Sequence, residues 1–515
     1  MPTREQRIAI IGAGVAGLSA AYFLHNRMSK NKQIIFRCSI LDVSARLGGN
    51  CYSAYLDGPY QSPFADLGVN DFNTQRYKTF MEVLGRLEAE GLPVPHQPLI
   101  DTTSWSTPNG LSPDQCLTYT DLELTNWEQH SDCLKKDILM HIACDWDRFQ
   151  HLAFSVLHDP IYQNMSVAEF IQYQNFHPDF AEYNLLPSIN GMYYVNDCSP
   201  ESMPIRAVMS HYHLQGGVGA VNTCSQRKQA RFINEPSPRH YFVNGASHWI
   251  RQLARSLQRR GVDFILGAPV TAHPTPDGSW VVKLSPNVVT PIQEPIPFDV
   301  LVSAVHADQV SSVIPHDLSG ELAGLLARFD YMNSISIVHD DPSVLPANET
   351  AWCTYNILIY PRETTSLRPY TMTYIEPKHQ GLDVNSPPFV TVTPYSPLRN
   401  SSIYTMRALP GDERIKAVQY FRHNTLTASA LQAQQEIKKH HQGNKNLYFT
   451  GGWTTGAGLH EEILVNSKMI ASMLRGFHDP ETDSEYYSDD GCTVPRYISN
   501  SFVEDAQVFP AGFWD

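Results

Sequence analysis

Three glycines near the start of the chain have the spacing of a phosphate-binding loop. The apolar run Arg7–Ile11 leads directly into the sequence Gly12–Gly17, which reads Gly-Ala-Gly-Val-Ala-Gly, and apolar residues then recur at helical spacing over Leu18–Met28. A strand, a Gly-x-Gly-x-x-Gly loop and a helix in this order bring backbone N–H groups and the positive end of a helix dipole to a pyrophosphate. We therefore predict a dinucleotide site that includes Gly12, Gly14, Ala16 and Gly17.

A carboxylate closes the second predicted strand, Ile34–Leu41. Asp42 follows this strand directly. A carboxylate at this place can accept hydrogen bonds from both hydroxyls of an adenosine ribose, and it would repel a 2′-phosphate. Asp42 therefore favours FAD or NAD over NADP as the dinucleotide.

The residues that follow Asp42 resemble a flavoprotein signature. The segment 42–49 reads Asp-Val-Ser-Ala-Arg-Leu-Gly-Gly, and it is similar to the acidic-residue-then-Arg-x-Gly-Gly element of the amine oxidase and phytoene desaturase families. Phe64–Gly68 is similar to their Asp-x-Gly element. The resemblance implies FAD as the cofactor, with contacts from Asp42, Val43, Arg46, Gly48, Gly49, Asp66, Leu67 and Gly68. Asn50 departs from the pattern, because many amine oxidases have a second arginine there.

The C-terminal region extends the resemblance over almost the whole chain to about Leu474. The segment 456–461, Gly-Ala-Gly-Leu-His-Glu, is similar to a loop of a bacterial group of NAD/FAD-binding amine oxidase-like proteins. In these families the chain crosses the flavin here, and the final helix, predicted over Ile463–Leu474, points its N-terminus at the ring. The further FAD contacts that the resemblance implies are Val270, Gly451, Gly452, Trp453 and His460. Gly452 replaces the acidic residue that the families usually have.

His460 and Glu461 are the predicted catalytic residues. A histidine has a pKa near neutrality and suits acid–base work or a hydrogen bond to the flavin. The first turn of a helix favours carboxylates through its dipole, which offers a purely structural explanation for Glu461. A buried, hydrogen-bonded histidine that holds the loop is the structural alternative for His460.

Two predicted domains must hold these motifs in place. We predict an α/β fold of the two-dinucleotide-binding-domain type, in which a Rossmann-type FAD-binding domain is interleaved with an α+β substrate domain. The FAD-binding domain is predicted over residues 1–75, 240–315 and 440–476. The substrate domain takes 76–239 and 316–439, including helices at Lys78–Glu90 and Cys144–Leu157, and a C-terminal tail covers 477–515. Four β-type runs are expected to form one largely antiparallel sheet over the flavin: Ser334–His339, Trp352–Tyr360, Tyr370–Ile375 and Phe389–Thr393.

The resemblance implies an FAD-dependent oxidoreductase that removes a hydride from a substrate C–H bond. Kinship with desaturase-like members implies a lipid acyl chain or similar substrate, with O2 or another electron acceptor. An amine or amino-acid oxidase is an alternative, but no motif places a lysine at the flavin, and Lys228, Lys283 and Lys378 are all unanchored. A flavin-dependent double-bond isomerase is the other alternative.

Composition excludes some classes of partner. The net charge of −14 argues against nucleic acid. No run approaches the ~20 apolar residues of a membrane span, although peripheral membrane contact is compatible with the sequence. The polar segment Met1–Arg7 has no secretory signal, and nine cysteines without a C-x-x-C pair are typical of reduced thiols, so we expect a cytoplasmic location. No metal site is predicted, because His211/His213 and His440-His441 lack partners at metal spacing.

Overall fold

The computed structural model describes residues 4–57, 63–108, 116–193, 200–216, 238–285, 295–315, 318–359, 371–394, 410–477, 486–487 and 493–494. The described helices are Val15–Leu24, Lys78–Ala89, Asp121–Thr125, Cys133–His151, Ala153–His158, Val167–Tyr173, Pro178–Phe180, Leu186–Tyr193, Ile205–Gly216, Ala246–Arg259, Val310–Val313, Gly320–Leu326, Glu376–His379, Ala428–His440 and His460–Leu474, with a π-helical turn at Ala181–Leu185. The predicted tail lies almost entirely outside the described residues.

The described strands form two main sheets and four small ones. They are Arg4–Ile11, Ile34–Asp42, Ser53–Tyr55, Phe64–Asp66, Asp71–Asn73, His96–Pro98, Thr103–Ser106, Thr118–Thr120, Arg239–Phe242, Asp263–Leu266, Val270–Pro274, Trp280–Leu284, Ile296–Phe298, Val300–Ser303, Tyr331–His339, Tyr355–Leu358, Thr371–Ile375, Phe389–Pro394, Ile415–Asn424, Leu447–Phe449, Tyr486–Tyr487 and Thr493–Val494.

The central sheet has five parallel strands and carries the predicted dinucleotide loop. Its order is Asp263–Leu266, Ile34–Asp42, Arg4–Ile11, Val300–Ser303 and Leu447–Phe449. Parallel strands are apolar on both faces because both faces are covered. Ile8 and Ile10 accordingly belong to one core, and Ala9 and Ile11 to another.

Three helices cover one face of the central sheet. The other face is covered by the antiparallel sheet of Val270–Pro274, Trp280–Leu284 and Ile296–Phe298. The helices are the first helix (Val15–Leu24), Ala246–Arg259 and the final helix (His460–Leu474). The first and final helices are in direct contact, since the Ser19 and Ser467 hydroxyls lie 2.8 Å apart. Helices whose contacting serines are 448 residues apart in the chain thus pack side by side on the same face of the central sheet.

The large antiparallel sheet belongs to the predicted substrate domain. Its seven strands run in the order Ile415–Asn424, Tyr331–His339, Phe389–Pro394, Thr371–Ile375, Tyr355–Leu358, Thr103–Ser106 and Thr118–Thr120. One pair, Tyr355–Leu358 with Thr103–Ser106, is parallel. All four predicted β-type runs are present in this sheet, and Ile415–Asn424 is an edge strand that the sequence patterns did not indicate.

Three predicted helices differ from the observed ones. The helical pattern at Leu18–Met28 corresponds to the helix Val15–Leu24, which begins and ends earlier. The helix predicted at Cys144–Leu157 begins earlier, at Cys133, because Asp132 caps it by accepting the N–H groups of Leu134 and Lys135. The final helix begins at His460 rather than Ile463. Glu462 stabilises that earlier start, because its carboxylate accepts the N–H of Leu459 at 3.0 Å.

Candidate functional site

The glycine loop connects the strand Arg4–Ile11 to the first helix and has the close packing that the motif predicts. Gly12 has φ +117°, and a Cβ there would lie 2.7 Å from the Ala304 carbonyl oxygen. A Cβ on Gly17 would lie 1.9 Å from the Gly12 carbonyl oxygen, so the first helix could not approach with any larger residue. Gly14 differs from both. A Cβ there would have only the Gly49 Cα within 4 Å, at 3.9 Å, and would extend into open space.

Asp42 holds this loop in place from the neighbouring strand. Its Oδ2 accepts the N–H of Ala13 at 2.6 Å, and its Oδ1 accepts the N–H of Ser44 at 2.7 Å. The sequence motif predicts a ribose ligand at this position, and the structure adds that the same carboxylate shapes the phosphate loop. Each carboxylate oxygen keeps a second lone pair for a ligand hydroxyl.

Arg46 supports a second glycine segment, Gly48-Gly49, by hydrogen bonding to its backbone. Its Nη2 donates to the Gly49 carbonyl at 2.8 Å, and its guanidinium lies over the Tyr52 ring with 4.7 Å to the centroid. The Gly48 N–H donates to the Ala13 carbonyl at 2.9 Å, which joins the two glycine segments. Arg46 therefore positions Gly48 and Gly49 through the backbone.

The Asp-x-Gly segment divides into a structural part and a part that lines the cavity. The buried Asp66 accepts the N–H of Ala246 at 2.9 Å, and the Ser53 hydroxyl lies 2.5 Å from the same carboxylate. Asp66 thus caps the helix Ala246–Arg259, and burial raises its pKa to about 7. Leu67 is buried as well, and among these residues only Gly68 lines the cavity.

One cavity of about 1270 Å³ connects the glycine loop to the predicted substrate domain. The predicted cofactor contacts that line it are Gly12, Gly14, Ala16, Asp42, Val43, Gly48, Gly49, Gly68, Val270, Gly451, Gly452, Trp453 and His460. The predicted contacts Gly17, Arg46, Asp66 and Leu67 are not among the lining residues, for the packing reasons given above. Further lining residues come from helices of the predicted substrate domain, among them Trp146 and His211, from strands of the large sheet, among them Trp105 and Tyr355, and from loops.

The loop before the final helix is built from close backbone contacts. A Cβ on Gly458 would lie 2.8 Å from the Gly452 Cα, so position 458 needs glycine, and a Cβ on Gly452 would make a tight contact of 3.3 Å with the Gly458 Cα. The Trp453 indole donates to the Val305 carbonyl at 2.8 Å. Glycine at position 452, where related flavoproteins have an acidic residue, therefore has a packing reason in this chain.

His460 is the first residue of the final helix and lines the cavity. It is buried, and its ring stacks on Phe80 with 5.4 Å between centroids and meets Trp249 edge-on at 5.3 Å. Among the described residues, neither of its ring nitrogens has a hydrogen-bond partner. Burial lowers the pKa of His460 to about 4, so the imidazole is neutral at neutral pH.

Glu461 points in a different direction from His460. Its Oε1 and Oε2 accept the N–H groups of Thr79 and Phe80, each at 2.9 Å, and so cap the helix Lys78–Ala89. Burial raises the pKa of Glu461 above its usual range. Glu461 is absent from the residues that line the described cavity.

A charged cluster that the sequence patterns did not indicate lies along the substrate-domain part of the cavity, with Asp71 and Tyr355 buried and Asp101 at its exposed edge. Arg239 donates to Asp71 and Asp101, each at 2.7 Å, and to the Tyr355 hydroxyl at 2.8 Å. Burial opposes ionisation of Asp71, but Arg239 and His379 outweigh it and hold the pKa of Asp71 below its usual range. The members of this cluster are far apart in the chain, Asp71 and Tyr355 by 284 residues, so no local spacing could have identified them.

No lysine is among the described residues that line the cavity. Lys378 pairs with Asp383 at 2.9 Å, Lys283 lies on an exposed part of a small strand, and Lys228 falls outside the described residues. In the part of the chain that the structure describes, no helix is long and apolar enough to cross a bilayer.

Comparisons with known proteins agree with this architecture. A family model described as NAD(P)-binding Rossmann-like domain matches residues 10–87. A search of curated proteins returns no match. Among solved structures, the CLA-producing fatty acid isomerase from P. acnes superposes with a TM-score of 0.59 at 14% identity, over 91% of this chain and 98% of that chain.

Two amine oxidases superpose equally well. Cyclohexylamine oxidase from Brevibacterium oxydans IH-35A has a TM-score of 0.56 at 13% identity, over 91% of this chain and 98% of that one. Putrescine oxidase bound to putrescine has a TM-score of 0.57 at 13% identity, over 92% and 99%. Identities this low show the fold alone. The predicted fold, a Rossmann-type dinucleotide-binding domain combined with a second α+β part as in the amine oxidase-like flavoproteins, is therefore confirmed.

Proposed function

We propose that this protein is an FAD-dependent oxidoreductase that removes a hydride from a C–H bond of an organic substrate. The observation that carries the proposal is one continuous cavity of about 1270 Å³. It runs from the dinucleotide loop to a part lined by aromatic residues such as Trp105 and Trp146, which we call the substrate compartment. His460 borders this cavity with both ring nitrogens lacking a partner among the described residues. A dinucleotide site that ended at the glycine loop would not need such a continuation.

The residues present fit FAD. A side chain at position 14 would project into open space. Val15 and Ala16, at the N-terminus of the first helix, line the same space. Helix N-termini of this kind bind pyrophosphate. In our proposal these groups hold the pyrophosphate, Asp42 holds the ribose, and Val270 supports the adenine.

When bound, FAD supplies the two-electron acceptor for the substrate C–H bond. His460 is neutral at neutral pH, so one ring nitrogen carries a proton and the other can accept one. We assign to His460 either the proton transfer that accompanies C–H cleavage or a hydrogen bond to the ring. Glu461 fixes the start of the final helix by accepting the N–H groups of Thr79 and Phe80, and it thereby helps to position His460. Its proposed role is structural rather than chemical.

The substrate compartment favours an acyl chain or a similarly apolar substrate. Its apolar wall is formed by Leu99, Trp105, Leu124, Trp146, Ile357 and Met372. Arg239 pairs with both Asp71 and Asp101, so it offers no unpaired positive charge, and the three side chains together carry a net charge of −1. Amine oxidation is less well supported, since no described lining residue is a lysine.

The test begins with the flavin itself. The purified full chain, reconstituted with FAD if necessary, should show flavin absorbance, and denaturation followed by mass spectrometry should identify FAD. Anaerobic mixing with linoleic acid, and separately with putrescine and cyclohexylamine, then identifies the reaction class. Persistent bleaching with the fatty acid supports the proposed oxidation, whereas bleaching with an amine alone would replace it by amine oxidation.

Recovery of the flavin absorbance together with a rearranged fatty acid would replace oxidation by isomerisation. A chain that folds but binds no FAD even after reconstitution would contradict the proposal as a whole. Electron transfer to O2 is measured on reoxidation as peroxide formed per flavin.

A further inference from the structure

A cluster of two histidines and one aspartate lies between the helix Cys133–His151 and the short helix Pro178–Phe180, and none of the three residues lines the cavity described above. His141 Nδ1 is 2.8 Å from Asp179 Oδ2, and His177 Nδ1 is 3.4 Å from the same oxygen. The two imidazole rings stack with 3.7 Å between centroids, and the three ligand atoms all lie within 4.8 Å of one another. Among the described residues this is the one group of three side chains that could hold a metal ion.

The backbone around the cluster is fixed before any ion binds. Asp145 lies one helical turn after His141 on the helix Cys133–His151, and its carboxylate accepts the N–H of His177 at 2.5 Å. The N–H of Asp179 donates to His177 Nδ1 at 3.2 Å. That bond places the ring proton of His177 on Nε2, and the bond must be given up when the Nδ1 lone pair binds an ion.

The distances and charges of the cluster fit a transition-metal dication. In a tetrahedral Zn²⁺ site with bonds of about 2.0–2.2 Å, neighbouring ligand atoms are about 3.3–3.6 Å apart. The His177 Nδ1–Asp179 Oδ2 distance of 3.4 Å lies in this range, and His141 Nδ1, now at hydrogen-bond distance from Asp179 Oδ2, would have to move about half an ångström away from it. Asp145 and Asp179 together carry two negative charges, and Arg148 offsets one by pairing with Asp145. The side chains of His141, His177 and Asp179 are 33%, 42% and 21% exposed, which leaves access for an ion and for water as a fourth ligand.

We propose that His141, His177 and Asp179 bind a divalent transition-metal ion, with Zn²⁺ as the ion that two imidazoles and one carboxylate fit. The site joins two walls of the cavity. The helix that carries His141 also supplies Trp146 and Gln150 to the cavity lining, and the segment after Asp179 supplies Asn184 and Ser188. Asn184 lies in the π-helical turn Ala181–Leu185, a strained form of helix often found at functional sites. The ion would hold these two walls together.

The experiment uses the full chain, stripped of metal with EDTA and dialysed, and Zn²⁺ alone as the probe. Competition with a fluorescent chelator gives affinity and stoichiometry, and thermal unfolding with and without Zn²⁺ gives the stabilisation. The variants are His141→Ala and Asp179→Asn, and His151→Ala, on the exposed end of the same helix, is the matched control. Unfolding curves in EDTA establish that each variant folds.

We expect wild type and His151→Ala to bind one Zn²⁺ with equal affinity and to unfold at a higher temperature when Zn²⁺ is present. His141→Ala and Asp179→Asn should bind it at least tenfold more weakly and lose most of the thermal shift. Equal Zn²⁺ affinity in wild type, His141→Ala and Asp179→Asn would overturn the proposal, as would the absence of Zn²⁺ binding by the wild type.

Discussion

The imidazole of His460 stacks on the ring of Phe80 with 5.4 Å between their centroids, directly beside the amides that Glu461 caps. Two consecutive residues of the final helix therefore hold the same neighbour, one through its ring and one through its backbone. Only His460 of the two lines the cavity. This difference separates their expected mutational effects.

For His460→Gln, we expect flavin reduction by substrate to slow by about tenfold to a hundredfold, because a proton acceptor or donor is removed. Bound FAD per chain should stay within a factor of two. Stopped-flow absorbance measures the rate, and His440→Gln, on an exposed helix end, is the control. Reduction at the wild-type rate would leave His460 with a packing role.

For Glu461→Gln, we expect a loss of stability rather than of chemistry. The amide can accept only one of the two N–H groups of Thr79 and Phe80, so the free energy of unfolding should fall by about 1–3 kcal/mol. Flavin reduction per bound FAD should change by less than twofold. Denaturant unfolding compares this variant with Glu436→Gln, a change at an exposed helix position. Unaltered stability with slow reduction would return Glu461 to the chemistry.

For Gly14→Val, we expect a folded, colourless protein. Gly14 has φ −76°, which valine adopts readily, and only the Gly49 Cα lies within 4 Å of the new Cβ. The isopropyl group would therefore occupy the place proposed for the pyrophosphate without straining the backbone. Gly324→Val, a helical glycine with no atom within 4 Å of its Cβ, is the control. Full FAD occupancy in Gly14→Val would contradict the cofactor assignment.

Asp66 should make stability depend on pH. Burial raises its pKa from 3.8 to about 7, so between those values the folded protein holds a proton that the unfolded chain has released. This contribution is complete only below pH 3.8 and is lost as the pH rises from there to about 7. Asp66→Asn should remove it, and the variant should gain stability relative to wild type between pH 5 and 7.5 in urea unfolding. With Asp412→Asn, at an exposed position, the difference from wild type should not vary with pH, and a constant difference for Asp66→Asn would refute the assignment.

Arg239→Met should destabilise the protein by about 3–5 kcal/mol, because it leaves Asp71 buried without its counter-charge. The double variant Arg239→Met/Asp71→Asn should recover part of this loss. A double-mutant cycle from denaturant unfolding gives the coupling. Additive effects of the two changes would mean that the pair does not interact in the folded state.

The sequence predicts the parts of the site that are local in the chain. The strand, glycine loop and first helix lie within about 25 residues, and their backbone demands are visible as glycine spacing. Asp66 shows the limit of such reasoning. Its motif indicates a cofactor contact, but the buried N-terminus of Ala246–Arg259 needs a hydrogen-bond acceptor, and that need depends on a contact 180 residues away. The Arg239 cluster and the His141–His177–Asp179 cluster escape prediction for the same reason, since tertiary packing alone brings their members together.

The strand order of the central sheet has a consequence for biosynthesis. Arg4–Ile11 pairs with Val300–Ser303, which in turn pairs with Leu447–Phe449, and the first helix packs on the final helix. At a translation rate of about 5–20 residues per second, the nascent N-terminal strand leaves the ribosome roughly 20 to 90 s before its last partners are made. The central sheet therefore cannot be completed until Leu447–Phe449 has been synthesised. A fragment that ends before residue 440 would expose the apolar edge of Val300–Ser303, and it should aggregate rather than bind a dinucleotide.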